Sequence, residues 1–212
     1  MCYTTKMEQD AKKLERRFKF YDDLKIPLPS PFFSAFDFPK TPIIANDNPN
    51  TIQLYNWGLI PSWSQDMDIR KFTLNAKLET ITEKPSFKNY LDNRCLIVVD
   101  GFYEWQWLDP KGKQKLKYLI TNEASEIYTI GGIWSEWENP ENGEVVKSYS
   151  MVTHEANELM SEIHNTKKRM PFILNPTMEN DWLAGKPMEE CMEPISLKAT
   201  PIYDKPIQTS LF

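Results

Sequence analysis

The sequence predicts the α+β class, with an antiparallel-rich sheet and short helices. Three observations carry this reading. Between residues 95 and 153, apolar β-rich segments alternate with turn signals at Asp109-Pro110-Lys111-Gly112 and at 138–143. Sixteen prolines stand against seven glycines, which favours stiff extended connections over long helices. Helical periodicity is confined to brief stretches outside the strand series. No repeat, low-complexity tract or linker divides the 212 residues, so one domain over 1–212 is expected.

Taken in order, residues 8–20 read as an amphipathic helix. Ala11, Leu14 and Phe18 fall on one side, and Lys12, Lys13, Arg16 and Arg17 on the other. Six prolines between 26 and 49 break regular structure, so an extended loop with short strands is expected, packed by Phe32, Phe33, Phe36 and Phe38. An irregular stretch of that length points to function. A strand at 52–57 runs into Trp57-Gly58-Leu59-Ile60-Pro61, and 85–91 reads as a short helix. A buried strand at 95–99 is broken by Gly101, and 102–108 continues as the next strand. Further strands follow at 116–120, 127–134 and 145–153. Then come a helix at 155–163, a strand at 171–174 and a helix starting at Pro176 with Thr177 as its cap, ending at Gly185. Short strands are expected around Ile195 and Ile202.

Composition excludes several classes. Twenty-five Lys+Arg against 30 Asp+Glu give a formal charge of -5. This rules out a globally basic nucleic-acid binder and leaves room for a local basic groove. No run of 18 apolar residues occurs, so no membrane span is expected. The first ten residues lack the apolar core of a signal peptide, which makes the cytoplasm the expected compartment. Three cysteines and two histidines, widely spaced, argue against a disulfide framework and against a metal site. Neither G-x-G-x-x-G nor G-x-x-x-x-G-K occurs, so no nucleotide cofactor is expected, nor any other.

A few residues could carry chemistry. Removal of Met1 would leave Cys2 as an amino-terminal 1,2-aminothiol, with an amine pKa of about 7.7–8 and a thiol pKa of about 8.5. Such a group condenses with an aldehyde, first as an imine and then through sulfur to a five-membered thiazolidine. Alternatively, Cys2 is an incidental small residue at a frayed end. His164 lies between a helix and the Arg169-Met170-Pro171 strand, where an imidazole could move protons or serve structure. His154 reads as structural. Glu104, inside Asp100-Gly101-Phe102-Tyr103-Glu104-Trp105, is either a buried acid of raised pKa or a solvated one. In Asn75-Ala76-Lys77-Leu78-Glu79-Thr80, Asn75 could fix a ligand and Lys77 could meet a phosphate, unless the segment is only a turn. Trp57, Trp63, Trp105, Trp134 and Trp137 read mostly as core, and in part as a base-stacking platform.

In this order these blocks, with Arg94-Cys95-Leu96 and Thr153-His154-Glu155-Ala156-Asn157, resemble the SRAP family. Those are the SOS-response-associated peptidase-like proteins that shield abasic sites in single-stranded DNA. The resemblance implies a curved antiparallel, barrel-like β core flanked by short helices. It implies that Cys2 forms a thiazolidine cross-link with the ring-opened abasic sugar, positioned by Asn75. Glu104 would act as a general base or an orienting acid, and also in autoprocessing of an amino-terminal extension. His164 would donate the proton that opens the sugar. Thiol-dependent autopeptidase and abasic-site lyase activities come with the family. Implied DNA contacts are Trp63, Arg70, Lys71, Lys77, Thr80, Thr153 and Arg169. Lys12, Lys13, Arg16, Arg17, Lys167 and Lys168 are further candidates for a basic groove. Lys77 stands where arginine is usual, keeping the charge without the bidentate fork. The implied partner is single-stranded DNA with abasic sites. The protein is expected to be a cytoplasmic bacterial monomer, nucleoid-associated on damage. A general cysteine peptidase and a noncatalytic single-stranded DNA-binding module are the competing readings.

Overall fold

The computed structural model describes residues 2–19 and 30–203. The expectations for residues 1, 20 and 26–29 and for the tail after 203 lie outside the described residues. In chain order the strands are β1 (Thr4–Met7), β2 (Ser30–Ser34), β3 (Lys40–Ala45), β4 (Gln53–Trp57), β5 (Asn75–Lys77), β6 (Arg94–Val99), β7 (Gly101–Trp107), β8 (Lys115–Asn122), β9 (Tyr128–Glu138), β10 (Val145–Glu155), β11 (Arg169–Pro171), β12 (Ile173–Leu174) and β13 (Leu197–Ile202). The α-helices are α1 (Ala11–Phe18), α2 (Glu158–Ile163) and α3 (Glu179–Leu183). The α+β class and the barrel-like core are as expected.

Strands β10, β4, β3, β6 and β9 pair in a ring that returns to β10 and closes a barrel. Every pairing in the ring is antiparallel except β10 with β4. Strand β5 also runs parallel to β10. A second sheet, ordered β13-β8-β7-β1-β2, is antiparallel throughout.

Alternation along the ring strands sorts side chains into two clusters. Ile43, Ala45, Tyr55, Trp57, Cys95, Ile97, Val99, Tyr128, Ile130, Tyr149 and Met151 share one. Ile44, Leu96, Val98, Ile133 and Val152 share the other with Leu14 of α1 and Trp182 of α3. Helices cover the outside of a closed ring, so the first cluster fills the barrel. Burying each large apolar chain contributes about 1.5–3 kcal/mol. Two adjacent glycines let both layers approach β9. A Cβ on Gly131 would lie 2.8 Å from the Trp182 ring, and one on Gly132 would lie 2.8 Å from Cys95 Sγ.

Helix α1 starts where the Asp10 side chain accepts the Lys13 N–H at 2.9 Å, and it ends at Lys19 in the left-handed region. Other boundaries differ from expectation. Residues 85–91 tighten to a 3-10 turn at Lys88–Tyr90. Thr177 caps nothing: it lies inside a 3-10 turn, Pro176–Met178, that leads into α3. The strand at 171–174 divides because the chain changes partners, from β10 through Pro171 to β9 from Ile173. Ile195 lies outside β13. Phe32 and Phe36 do not pack the loop interior; they are 44% and 63% exposed. Among the described residues, no helix is long and apolar enough to cross a membrane.

Gly132→Ala should lower stability by about 1–3 kcal/mol, because Cys95 Sγ and the Ser150 carbonyl leave no room for a methyl. A fall in the urea midpoint with an unchanged slope checks this; an unchanged midpoint would show that β9 relaxes freely.

Candidate active site

Cys2 sits two residues before β1, which is paired on both sides, to β2 and to β7. It is 1% exposed and belongs to the barrel-filling cluster. Its Sγ donates to the Thr4 carbonyl at 3.6 Å. Burial, and then the charge of Glu104, push the thiol up to about 12. The thiol is therefore protonated at neutral pH.

Glu104 comes from β7, on the same face as the buried Phe102. The alternative of a solvated acid is excluded by its 7% exposure. One carboxyl oxygen accepts the Trp105 N–H at 3.1 Å, and burial raises the carboxyl above its ordinary value. His164 ends α2, its N–H donating to the Met160 carbonyl at 2.8 Å. Its Nδ1 lies 2.8 Å from the Arg169 carbonyl oxygen and 3.2 Å from the Arg169 backbone N–H, so it donates to the one or accepts from the other according to its tautomer. Burial lowers the imidazole below its ordinary value.

Nδ1 of His164 and the second carboxyl oxygen of Glu104 are 4.0 Å apart. Both groups are displaced toward their neutral forms, and burial is the first cause in each. Each group therefore keeps its neutral form over a wider pH range than it would in water.

Asn75 lies on β5 opposite Met151 of β10, so both side chains share one face of the sheet. Met151 packs in the cluster that contains Cys2. Both amide atoms of Asn75 are buried without a hydrogen-bond partner. An unsatisfied buried polar group costs about 1–3 kcal/mol, which marks a place where a polar ligand would compensate.

The expected DNA contacts divide. Thr153, expected as a DNA contact, is fully buried. Its carbonyl and hydroxyl accept from Arg169 Nη2 at 2.7 and 3.3 Å. Arg169 also pairs with Glu79 at 2.8 Å, so its guanidinium is engaged within the protein. Partial burial pushes the Glu79 carboxyl up, but Arg169 outweighs it and holds the group low. Lys77 is exposed and has no carboxylate partner among the described residues. Trp63 is half exposed, and Thr80 is half-buried. Arg70 lies over the Phe38 ring at 4.3 Å, and Lys71 pairs with Asp68 at 2.8 Å. On α1, Lys13 and Arg17 pair with Glu126 and Glu179, so that helix contributes less free charge than its sequence suggests. His154 lies in β10 with its ring edge-on to Phe172, a structural position.

The Arg169–Glu79 pair was not legible in the sequence. The exposed aromatics Phe36 and Phe72 were also missed as surface features. A partial signal existed for Phe36, in the proline-broken stretch that carries it.

A sequence profile described as SOS response associated peptidase (SRAP) matches residues 1–207. Abasic site processing protein YoqW of Bacillus subtilis is 39% identical over 145 residues, covering 68% of this chain and 62% of that protein. Abasic site processing protein HMCES of Pongo abelii is 33% identical over 159 residues, covering 62% of this chain and 44% of that protein. The chain thus matches less than two thirds of the length of either relative. A crystal structure from Bacteroides thetaiotaomicron superposes with a TM-score of 0.87 at 32% identity, over 96% of this chain and 93% of that one. With the fold and the sequence match in agreement, the chain belongs to the SOS response associated peptidase (SRAP) family.

Proposed function

We propose that this protein processes abasic sites in DNA, capturing the ring-opened sugar in single-stranded DNA covalently through Cys2. The observation that carries the reading is the burial of Cys2 within the electrostatic reach of Glu104, where a residue this near a chain end would otherwise fray. The names of the relatives, and the unpartnered Asn75 amide, support it.

The chemistry follows from the protonation states. Once whatever precedes Cys2 is removed, its α-amine adds to the sugar aldehyde. The resulting hemiaminal loses water to give an imine, and an acid must protonate the departing hydroxyl. His164 and Glu104, 4.0 Å apart, would relay that proton and the one that opens the sugar. The neutral thiol then adds across the imine. Sulfur bonds to carbon, the thiol proton passes through the Glu104 carboxylate to nitrogen, and one water has been released overall. Asn75 would hold a sugar hydroxyl or the hemiaminal oxygen. An imine left open would acidify the neighbouring C–H bond and permit strand cleavage by β-elimination. Ring closure removes that imine, so capture and lyase chemistry compete at one intermediate. Autoprocessing would use the same residues on a peptide bond before Cys2.

A general cysteine peptidase fits less well. Its thiolate would need a depressed pKa, and here the thiol is raised to about 12 and bonded to a carbonyl.

Wild-type protein incubated with single-stranded DNA carrying one abasic site should give a heat-resistant shifted band on a denaturing gel. Cys2→Ala and intact DNA should give none; equal yield from Cys2→Ala would refute the mechanism. Lys77→Glu should weaken capture in a salt-dependent way, and unchanged capture at low salt would remove Lys77 from the DNA path.

Burial also sets a pH dependence. His164 binds protons less readily in the fold than in the unfolded chain, so its contribution to stability falls as pH drops below about 6.5. Glu104 acts oppositely: its ionisation costs stability as pH rises above about 4.3. Site-specific NMR should place the His164 midpoint below that of a free imidazole. A midpoint above it would indicate an ion pair.

A further inference from the structure

We propose that the outer face of the second sheet is a stacking ledge for single-stranded DNA, distinct from the Cys2 cluster. The strand that carries Glu104 also builds this face. On β7, Phe102 and Glu104 are buried, and the Gln106 amide donates to the Glu162 carbonyl of α2 at 3.1 Å. Alternation turns Tyr103, Trp105 and Trp107 the other way; Trp105 and Trp107 are half-buried there, and Tyr103 is buried beneath Lys117. On β8, Lys117 stands opposite Trp105, Lys115 opposite Trp107 and Leu119 opposite Tyr103.

The rings and charges interleave. Lys117 Nζ lies 4.1 Å from the centroid of Tyr103, 4.9 Å from Phe32 and 5.7 Å from Trp105. Lys115 Nζ lies 5.2 Å from Trp107. Phe32 and Tyr103 are 5.6 Å apart, and Phe32 is 44% exposed. Among the described residues, neither Lys115 nor Lys117 pairs with a carboxylate. At the opposite end of the sheet, Lys6 is bound by Glu8 and Asp100. In the adjoining turn, Lys111 and Lys113 add two cations, while the nearby Asp109 carboxylate accepts backbone N–H groups of Lys111 and Gln114. A chain of net charge -5 thus concentrates uncompensated cations on one aromatic face.

That combination selects the occupant. Ammonium groups suit phosphates, and ring faces suit unpaired bases. Alternate residues on a strand are about 6.8 Å apart. This is roughly twice the 3.4 Å base step of a duplex strand, so bases must separate to use successive rings. Duplex DNA keeps its bases stacked and cannot do so. The ledge also adjoins the reactive site. Trp107 N–H donates to Asn165 Oδ1 at 3.1 Å, the Asn165 amide donates back to the Trp107 carbonyl at 2.9 Å, and Asn165 follows His164. A strand held at Cys2 could continue past Asn165 onto this face.

The surface does not use Cys2, so intact DNA tests it independently of covalent capture. In a Cys2→Ala background, anisotropy should be measured with an abasic-free oligothymidylate across a salt series. Lys115→Gln with Lys117→Gln should weaken binding about tenfold and reduce the log–log salt slope by about 1.4, the value for two single-strand phosphates. Lys117→Arg should retain most of the affinity. Phe32→Ala should weaken binding severalfold without changing the slope. Circular dichroism confirms that each variant is folded. Unchanged affinity and slope in the folded double-glutamine variant would overturn the proposal. So would a silent Phe32→Ala combined with an equal loss of heparin binding, since that pattern means charge alone.

Discussion

The position of Cys2 depends on one buried carboxylate. Asp100 stands where the chain leaves the barrel at the end of β6 and enters the second sheet at the start of β7. Its side chain is almost fully enclosed, and it accepts from Lys6 Nζ at 3.1 Å, Glu8 N–H at 2.8 Å and Gln9 Nε2 at 3.1 Å. Its own N–H donates to the Lys6 carbonyl at 3.0 Å. The segment after Cys2 is therefore bolted to the point where the two sheets meet. Charge-assisted bonds of this kind are stronger than neutral ones, and a buried carboxylate without them would be costly. Gly101 permits the sharp passage, since a Cβ there would lie 2.9 Å from Leu119. With β1 clamped in this way, Cys2 has no route to fray and lies against the barrel contents.

The same passage gives β7 two unlike faces. Inward, Glu104 meets His164 in surroundings that disfavour charge on either group. Outward, rings and lysines alternate beside solvent. Strand periodicity allows both environments on a single element, because neighbours along the chain never compete for one surface. It also makes register strict. A slip of one residue would exchange Glu104 for a tryptophan in the site, and would place a carboxylate beside Lys117.

Much of this was legible in the sequence, and the remainder was hidden for physical reasons. The strand series from 95 to 153 could be read because alternation and turn residues are local signals. Cys2, Asn75, Glu104 and His164 could be named because each lies in a short motif. Closure of the barrel could not be read, since it depends on β10 pairing in parallel with β4, a segment distant in sequence. The division at Phe172 is a change of partner, invisible to periodicity. Glu104 was ambiguous because alternation fixes which residues share a face but not which face is buried. Thr153 and Arg169 read as surface contacts because a polar side chain has the same identity whether it meets solvent or another part of the chain.

Arg169 shows what that last ambiguity conceals. Its guanidinium joins Glu79, in the turn after β5, to Thr153 on β10, and β5 and β10 are already in register through Lys77 and Thr153. Its backbone carbonyl and N–H both lie within hydrogen-bond distance of His164 Nδ1, at 2.8 and 3.2 Å. The residue therefore spans the segment that carries Asn75 and the loop that carries the imidazole. A guanidinium has several donors in a rigid plane and no titration near neutrality, so it can hold such a junction at any working pH. A lysine could supply the charge but not the simultaneous contacts. Arg169, expected as a DNA contact, is thus also the residue that ties the turn after β5 to β10 and to the loop after α2.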